Sequence, residues 1–152
     1  MTYDDNNVFA KILRGEIPCE KIYEDEYVLS FYDINPQKKI HALVIPKGKY
    51  IDLDDFASKA SEKEISGLVK GINIVAKKLK ISSDTGKGYR TLTNINENGG
   101  QEVPHLHFHL FGGEKVGKMV EWWFCLLYTS DAADEGLGVD LGGRRIIKNS
   151  NK

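Results

Sequence analysis

The spacing of apolar residues near the start of the chain predicts a short helix. Between Asn7 and Leu13, apolar side chains recur at intervals of three and four positions, which places them on one helical face. Asn6 or Asn7 can cap the first turn through a side-chain oxygen, and Gly15 can end the helix. We therefore expect the domain to open with a helix.

Three extended segments follow the predicted helix. They cover residues 20–23, 27–33 and 41–46, and turn-forming residues such as Asn35 and Pro36 separate them. No stretch with helical spacing lies between them. Because consecutive strands without an intervening helix pair side by side, we expect an antiparallel sheet in this part of the chain.

A longer amphipathic helix is predicted in the middle of the chain. Ser61 to Glu64 form a capping-box pattern, and apolar residues then recur at intervals of three and four from Ile65 to Leu79. Two further strands, at residues 89–94 and 103–111, flank a polar loop at residues 95–101. Together these elements predict an α+β domain with an antiparallel sheet of about five strands and two helices.

The pattern changes towards the end of the chain. Beyond Glu121 no apolar period continues. The segments at residues 125–135 and 139–147 resemble the translated read-through of a sequencing adapter. We therefore assign residues 1–121 to the domain and expect residues 122–152 to be a disordered tail, which is either an artefact of this kind or a genuine tail without an apolar pattern.

Composition and charge narrow the class of protein. Apolar residues make up 41% of the chain and charged residues 28%, which is typical of a soluble globular protein. The formal charge of -1 argues against a broad basic surface for nucleic acid polymers. The first residues are acidic and no long apolar run follows, so we expect a cytoplasmic protein without membrane association. Cys19 and Cys125 lie far apart, which predicts unpaired thiols.

Three of the four histidines alternate within a short segment, at His105, His107 and His109. In a strand, alternate side chains share a face, so the three imidazoles would line one face at a repeat of about 6.6 Å. Leu106 and Phe108 would enter the core on the other face. The ordinary pKa of histidine, about 6.5, suits nucleophilic and acid–base chemistry at neutral pH. The segment therefore predicts a catalytic site that is anchored in the core.

The spacing gives the three rings different roles. His107 is flanked on both sides, so one nitrogen can be oriented while the other attacks phosphorus, and this makes it the predicted nucleophile. His109 is placed to donate to a phosphate oxygen. A zinc site is the alternative, because histidines two positions apart on a strand can share one ion. The preceding loop, from Asn98 to Gln101, offers amide donors that suit an anion and favours the phosphate interpretation.

The run from His105 to Phe111 has the alternation His-φ-His-φ-His-φ-φ, in which φ is apolar. It resembles the motif of the histidine triad (HIT) family, and the chain is similar to the Hint-like branch of that family. The similarity extends in order from Asn7 to Gly113 and includes residues 8–18, 32–37, 41–47 and 88–90. The resemblance implies a HIT-like fold.

The resemblance also implies covalent chemistry at phosphorus. His107 would attack the α-phosphate of a nucleotide conjugate, and water would cleave the nucleotidyl-histidine intermediate to release a nucleoside monophosphate. His105 and His41 would complete the histidine cluster, with a backbone carbonyl fixing the tautomer of His107. The groups that would hold the phosphate oxygens are His109, Asn94 and the backbone near Gly100 and Gln101.

A nucleoside pocket is part of the same resemblance. Asp33 would accept hydrogen bonds from both ribose hydroxyls. Apolar side chains would enclose a purine base, namely Phe9, Ile12, Ile17, Phe31 and Ile34. Glu102 stands where related nucleotide-binding proteins often have a small hydroxyl residue near the leaving group, so we expect a different substrate preference.

We therefore expect an enzyme that hydrolyses purine nucleoside phosphoramidates or related adenylated conjugates without a metal or other cofactor. The resemblance implies a homodimer whose sheet runs across both subunits. One alternative is a dinucleoside polyphosphate hydrolase. The others are a nucleotide-binding protein and a zinc-binding protein, each with little turnover.

Overall fold

The computed structural model describes residues 1–120 of the chain. Within these residues it contains five strands and four helices. The strands are β1 (Lys21–Glu24), β2 (Val28–Tyr32), β3 (Ile40–Pro46), β4 (Arg90–Leu92) and β5 (Phe108–Gly112). The helices are α1 (Val8–Leu13), α2 (Leu53–Lys59), α3 (Glu62–Lys78) and α4 (Asn96–Gly99). All of them belong to one compact unit, residues 1–116. The predicted tail, residues 122–152, lies outside the described residues.

All neighbouring strands are antiparallel, in the order β1-β2-β3-β5-β4, which confirms the predicted α+β class. The central strand, β3, pairs with β5 so that His41 is opposite Phe111 and Leu43 is opposite His109. On the outer side of β5, Leu92 of β4 is also opposite His109. This register brings His41 and His109 together although 68 positions separate them.

Side-chain caps explain where the helices begin. The side chain of Asn7 accepts a hydrogen bond from the third residue of α1, and Ser61 and Glu64 form the capping box predicted for α3. Helix α2 begins after Asp52, whose carboxylate accepts from the backbone three positions on. The prediction of two helices missed α2 and α4, because helices this short lack a full apolar period. No helix in the described part of the chain is long and apolar enough to cross a bilayer.

The sheet has a different apolar cluster on each face. Helix α3 covers one face, where Gly71 approaches β2 so closely that a Cβ atom would lie 2.8 Å from Cγ2 of Val28. Helix α1 contributes Phe9 to the other cluster. Successive residues of β3 alternate between the two clusters, with Ala42 and Val44 in the first and Leu43 and Ile45 in the second. Full burial of each large apolar side chain stabilises the fold by about 1.5–3 kcal/mol.

Strand β5 is shorter than the predicted strand at residues 103–111. The backbone N–H of His105 donates to the carbonyl of Val103, and that of Leu106 donates to Tyr50, so these amides do not join the ladder. His105 and His107 consequently lie in the segment that leads into β5. The alternation of sides is nevertheless kept, because Leu106 is fully buried in the cluster beneath α3.

Candidate active site

His105 is fully buried between the N-terminal segment and the end of β3. Its Nε2 atom lies 2.9 Å from the carbonyl oxygen of Pro46, and its Nδ1 atom lies 2.6 Å from the hydroxyl of Tyr3. Because a carbonyl can only accept, Nε2 carries the proton and Nδ1 accepts from the tyrosine. Burial lowers the pKa of His105 to about 4, so this ring is neutral at physiological pH.

The ring of His107 is oriented by the backbone two positions earlier. Its Nδ1 atom donates to the carbonyl oxygen of His105 at 2.7 Å, which leaves the unshared electron pair on Nε2. Burial lowers the pKa of His107, while the hydrogen bond to His105 and the charges of Asp33 and Glu102 oppose that shift. The ring is therefore a neutral imidazole with a defined tautomer, which is the form that a nucleophile requires.

A second pair of rings is linked across strands β3 and β5. The backbone N–H of Gln37 donates to Nδ1 of His41 at 3.1 Å, so the proton of that ring lies on Nε2. This Nε2 atom donates to Nδ1 of His109 at 2.9 Å. His109 must then carry its own proton on Nε2. That atom becomes a hydrogen-bond donor for a ligand.

Burial keeps this pair of rings neutral. It is the main cause that lowers the pKa of His41, and the charge of Asp33 opposes it. Burial also lowers the pKa of His109 to about 4, with further contributions from His107 and His41. At physiological pH, His109 can therefore donate a hydrogen bond to an anion as a neutral ring.

Asp33 directly follows β2 and lies beside these two rings. Its Oδ2 atom is 3.4 Å from Nε2 of His41, and its Oδ1 atom accepts from the backbone N–H of Asn35 at 2.8 Å. Because the pKa of His41 is lowered, this contact joins a carboxylate to a neutral ring and is not a full ion pair. The side chain of Asp33 is 21% exposed, so a ligand can reach it.

Asp33, His41 and His109 also form a group that could hold a metal ion. One ligand atom from each lies within 4.8 Å of the others. The zinc alternative drawn from the sequence used the three alternating histidines instead. In the structure, a hydrogen bond already joins Nε2 of His41 to Nδ1 of His109, so an ion between these atoms would have to displace its proton.

Aromatic rings pack against the histidines. Phe9 meets His107 edge to face at a centroid distance of 4.9 Å, and it meets His105 at 6.3 Å. Phe111 stacks on His109 at 5.6 Å. These contacts keep water from the imidazoles, and this desolvation is the physical cause of their lowered pKa values.

The residues predicted to enclose a purine fall into two groups. Phe9 and Phe31 are buried and pack edge to face at 5.6 Å, and Ile12 and Ile17 are half-buried. Ile34, in contrast, is 90% exposed. The structure therefore brings Phe9, Phe31 and Ile12 into one apolar cluster and leaves Ile34 outside it.

The loop predicted to bind phosphate contains the short helix α4, which is capped at Gly100, where the φ of 76° favours glycine. The backbone N–H groups of Gly100 and Gln101 donate to carbonyls of α4, so both are engaged within the loop. The side-chain amide of Gln101 donates to the carbonyls of Ile51 and Val103 at 2.7 and 3.0 Å. Gln101 thus braces the loop, and its predicted phosphate contact stays a prediction.

Asn94 lies just beyond β4, close to His109. The two residues line the same cavity, which has a volume of about 280 Å³. The side chain of Asn94 is half-buried, and its amide has no hydrogen-bond partner among the described residues. Asn94 and His109, which the sequence analysis named as phosphate contacts, therefore line the same cavity.

Three neighbours of the histidines were not predicted from the sequence, namely Tyr3, Thr93 and Phe111. The hydroxyl of Thr93 donates to the carbonyl of His107 at 2.7 Å. Phe111 could have been found, because it continues the alternation of His105, His107 and His109 by one step. Tyr3 and Thr93 have no local sequence signal, since only the tertiary structure brings them to the histidines.

Comparison with known proteins agrees with this geometry. The HIT domain profile matches residues 14–116. An uncharacterized HIT-like protein of Azospirillum brasilense is 54% identical over 119 residues, which are 78% of this chain and 95% of that protein. The purine nucleoside phosphoramidase of Escherichia coli is 36% identical over 116 residues, or 76% of this chain and 94% of the enzyme.

A solved structure shows the same fold. The HIT family hydrolase from Clostridium thermocellum is 38% identical and superimposes with a TM-score of 0.66. The match covers 77% of this chain and 99% of that protein. With the alternating histidines and the five-stranded sheet, these similarities establish that the chain belongs to the HIT family.

Proposed function

We propose that this protein hydrolyses purine nucleoside phosphoramidates or related adenylated conjugates and releases a nucleoside monophosphate. The observation that carries the proposal is the tautomer of His107. Its Nδ1 proton is held on the carbonyl of His105, so the Nε2 electron pair is available to attack phosphorus. The similarity to the phosphoramidase of Escherichia coli supports the same substrate class.

In the first step, Nε2 of His107 attacks the α-phosphorus and the P–N bond of the substrate breaks. The amine leaves with the electron pair of that bond and takes one proton from solvent. His107 keeps its Nδ1 proton throughout, on the carbonyl of His105. The Nε2 proton of His109 and the amide of Asn94 would stabilise the charge that grows on the phosphate oxygens.

In the second step, water attacks the phosphorus of the nucleotidyl-histidine intermediate. The bond between phosphorus and His107 breaks, and its electron pair returns to Nε2. Water gives up one proton to solvent, which balances the proton taken up in the first step. We assign no metal to either step, because His109 and Asn94 would supply the donors for the phosphate oxygens.

The nucleoside would lie between Asp33 and helix α1. The carboxylate of Asp33 can accept hydrogen bonds from both ribose hydroxyls, and its exposed part is available for them. Ile12 and Ile17 are half-buried and offer apolar surface beside the buried ring of Phe9. This combination of a carboxylate and an apolar surface favours a nucleoside over a simple phosphate ester.

We also propose a homodimer whose sheet continues from one subunit to the other. Strand β4 is at the edge of the sheet and pairs only with β5 within residues 1–120. An edge strand offers unpaired N–H and C=O groups to a second copy. Light scattering on the full chain measures the molecular mass, and a monomer at micromolar concentration would contradict this proposal.

The function is tested with adenosine 5′-phosphoramidate and the full chain, with and without a chelator. We expect release of AMP that the chelator does not affect. His107→Ala should lose on the order of a thousandfold or more of kcat/KM. Rapid quenching should trap a nucleotidyl adduct on the unaltered protein and none on the variant. Lys87→Ala, at an exposed position outside the proposed site residues, is the control.

Each alternative has its own outcome in this experiment. Unchanged hydrolysis by His107→Ala would exclude His107 as the nucleophile. Loss of activity with the chelator would favour the zinc interpretation. AMP binding without turnover would indicate a nucleotide-binding protein. Faster cleavage of a diadenosine polyphosphate than of the phosphoramidate would indicate that substrate class instead.

A further inference from the structure

The hydroxyl of Thr93 reaches the backbone of the proposed nucleophile. Its Oγ1 atom donates to the carbonyl oxygen of His107 at 2.7 Å, across 14 positions of sequence. Thr93 is half-buried, and the first side-chain torsion of a β-branched residue is restricted, so the hydroxyl loses little freedom when it makes this bond. The contact therefore joins the segment after β4 to the segment before β5.

This hydrogen bond lies just beyond the end of the strand pairing. Strand β4 pairs with β5 as far as Leu92, which is opposite His109. On its other side, β5 pairs with β3 as far as Phe108. His107 precedes both positions, and no strand pair among the described residues includes it. The hydrogen bond from Thr93 thus replaces strand pairing at the residue that carries the nucleophile.

The two segments that this bond joins carry different parts of the proposed machinery. Asn94, the residue after Thr93, is the proposed amide donor to the phosphate oxygens, and His107 is the proposed nucleophile. If the register of β4 and β5 continued beyond Leu92 and His109, Asn94 would lie opposite His107. The spacing between donor and nucleophile therefore depends on what holds these two segments together.

The other contacts of His107 act on its ring. Its Nδ1 atom donates to the carbonyl of His105, which belongs to the same segment, and its edge-to-face contact with Phe9 involves helix α1. Neither contact ties His107 to the segment after β4. Alignment matters here, because a misplacement of about 1 Å in a reacting group can cost about a hundredfold in rate.

We propose that Thr93 is a positioning residue that holds the nucleophile His107 in place relative to the phosphate donor Asn94. The inference rests on the proposed function and adds a residue to it. Thr93 touches no reacting atom and exchanges no proton, so the two covalent steps given above are unchanged. Because Asp33 and helix α1 would bind the nucleoside, we expect Thr93 to affect kcat and not KM.

The test uses the full chain and adenosine 5′-phosphoramidate. Thr93→Val removes the hydroxyl and keeps the shape of the side chain. It should lower kcat about tenfold or more and change KM by less than about twofold. Rapid quenching should show that the nucleotidyl adduct forms more slowly than on the unaltered protein. Thr93→Ala is a second variant without the hydroxyl and should show the same fall in kcat.

Two further variants serve as controls. Thr93→Ser keeps the hydroxyl and loses the methyl group, so it should retain most of kcat. Thr91→Val removes an exposed hydroxyl two positions earlier on the same edge strand, and it should leave kcat unchanged. Unchanged kcat in Thr93→Val and Thr93→Ala would overturn the proposal. An equal fall in Thr93→Ser would also overturn it, since the methyl group would then be responsible, and so would a change confined to KM.

The unaltered protein separates this inference from the function on which it rests. If it hydrolyses adenosine 5′-phosphoramidate and the variants without the Thr93 hydroxyl do so with the same kcat, the positioning role is wrong and the function stands. If the unaltered protein does not hydrolyse this substrate, the proposed function fails and the positioning role with it.

Discussion

The hydroxyl of Tyr3 lies 2.6 Å from Nδ1 of His105, across 102 positions of sequence. The two rings also meet edge to face, with their centroids 5.6 Å apart. Because Nε2 of His105 faces the carbonyl of Pro46, the tyrosine and the carbonyl together allow only one tautomer of this ring. The N-terminal segment thus completes the polar surroundings of the histidine cluster.

Replacing Tyr3 with phenylalanine removes this donor and keeps the ring. A buried acceptor left without a partner costs about 1–3 kcal/mol, so we expect Tyr3→Phe to lower the free energy of unfolding by that amount. Urea denaturation measures the change. Tyr32→Phe is the matched control, because the hydroxyl of Tyr32 has no partner in the described part of the chain. Equal effects of the two substitutions would contradict the prediction.

The lowered pKa of His105 predicts that the fold loses stability in mild acid. This pKa is about 4 in the folded protein and about 6.5 in the unfolded chain. Between these values the unfolded chain binds more protons, so the free energy of unfolding decreases as the pH falls from 6.5 towards 4. The buried ring alone accounts for on the order of 3 kcal/mol.

Urea denaturation in steps from pH 7.5 to 4.5 tests this pH dependence. His105→Gln removes the titrating group, so its free energy of unfolding should vary less over the same range. Carboxylates such as Glu24, whose pKa is about 2 beside Lys21 and Lys47, titrate mainly below this range. An equally steep loss in His105→Gln would show that another group is responsible.

Gln101 provides a test of the loop before the histidines. Its amide donates to two carbonyls, of Ile51 and Val103, and its Oε1 atom accepts from the N–H of Asn96. We expect Gln101→Ala to lower the free energy of unfolding by about 1–3 kcal/mol, because the part-buried carbonyl of Ile51 loses its donor. Asn98→Ala, at an exposed position of the same loop, should have little effect. A stable Gln101→Ala variant would rule out the bracing role.

Asp33 is predicted to recognise the ribose. We expect Asp33→Ala to raise KM for adenosine 5′-phosphoramidate about tenfold or more, since hydrogen bonds from the two hydroxyls to a carboxylate are lost. The 2′,3′-dideoxy analogue lacks both hydroxyls and should show a much smaller change. Steady-state kinetics with the two substrates give the comparison. If KM rises equally for both, Asp33 acts only through its contact with His41.

Much of the fold was predictable because the relevant patterns are local. The capping box at Ser61 and the apolar spacing of α3 follow from interactions within a few residues, and the structure confirms them. The shorter β5 was not predictable. Its start depends on where the amides of His105 and Leu106 find partners, and the partner of Leu106 is the distant Tyr50.

The sequence by itself determined that His105, His107 and His109 share one side of the chain, because side chains alternate along an extended backbone. It also determined the HIT family, through a motif that is contiguous. Only the tertiary structure decided which nitrogen of His105 and of His109 carries the proton, since that depends on Pro46 and His41, which are distant in the sequence. Distant partners likewise place Lys38 beside Asn94 in one cavity, and no local pattern records such contacts.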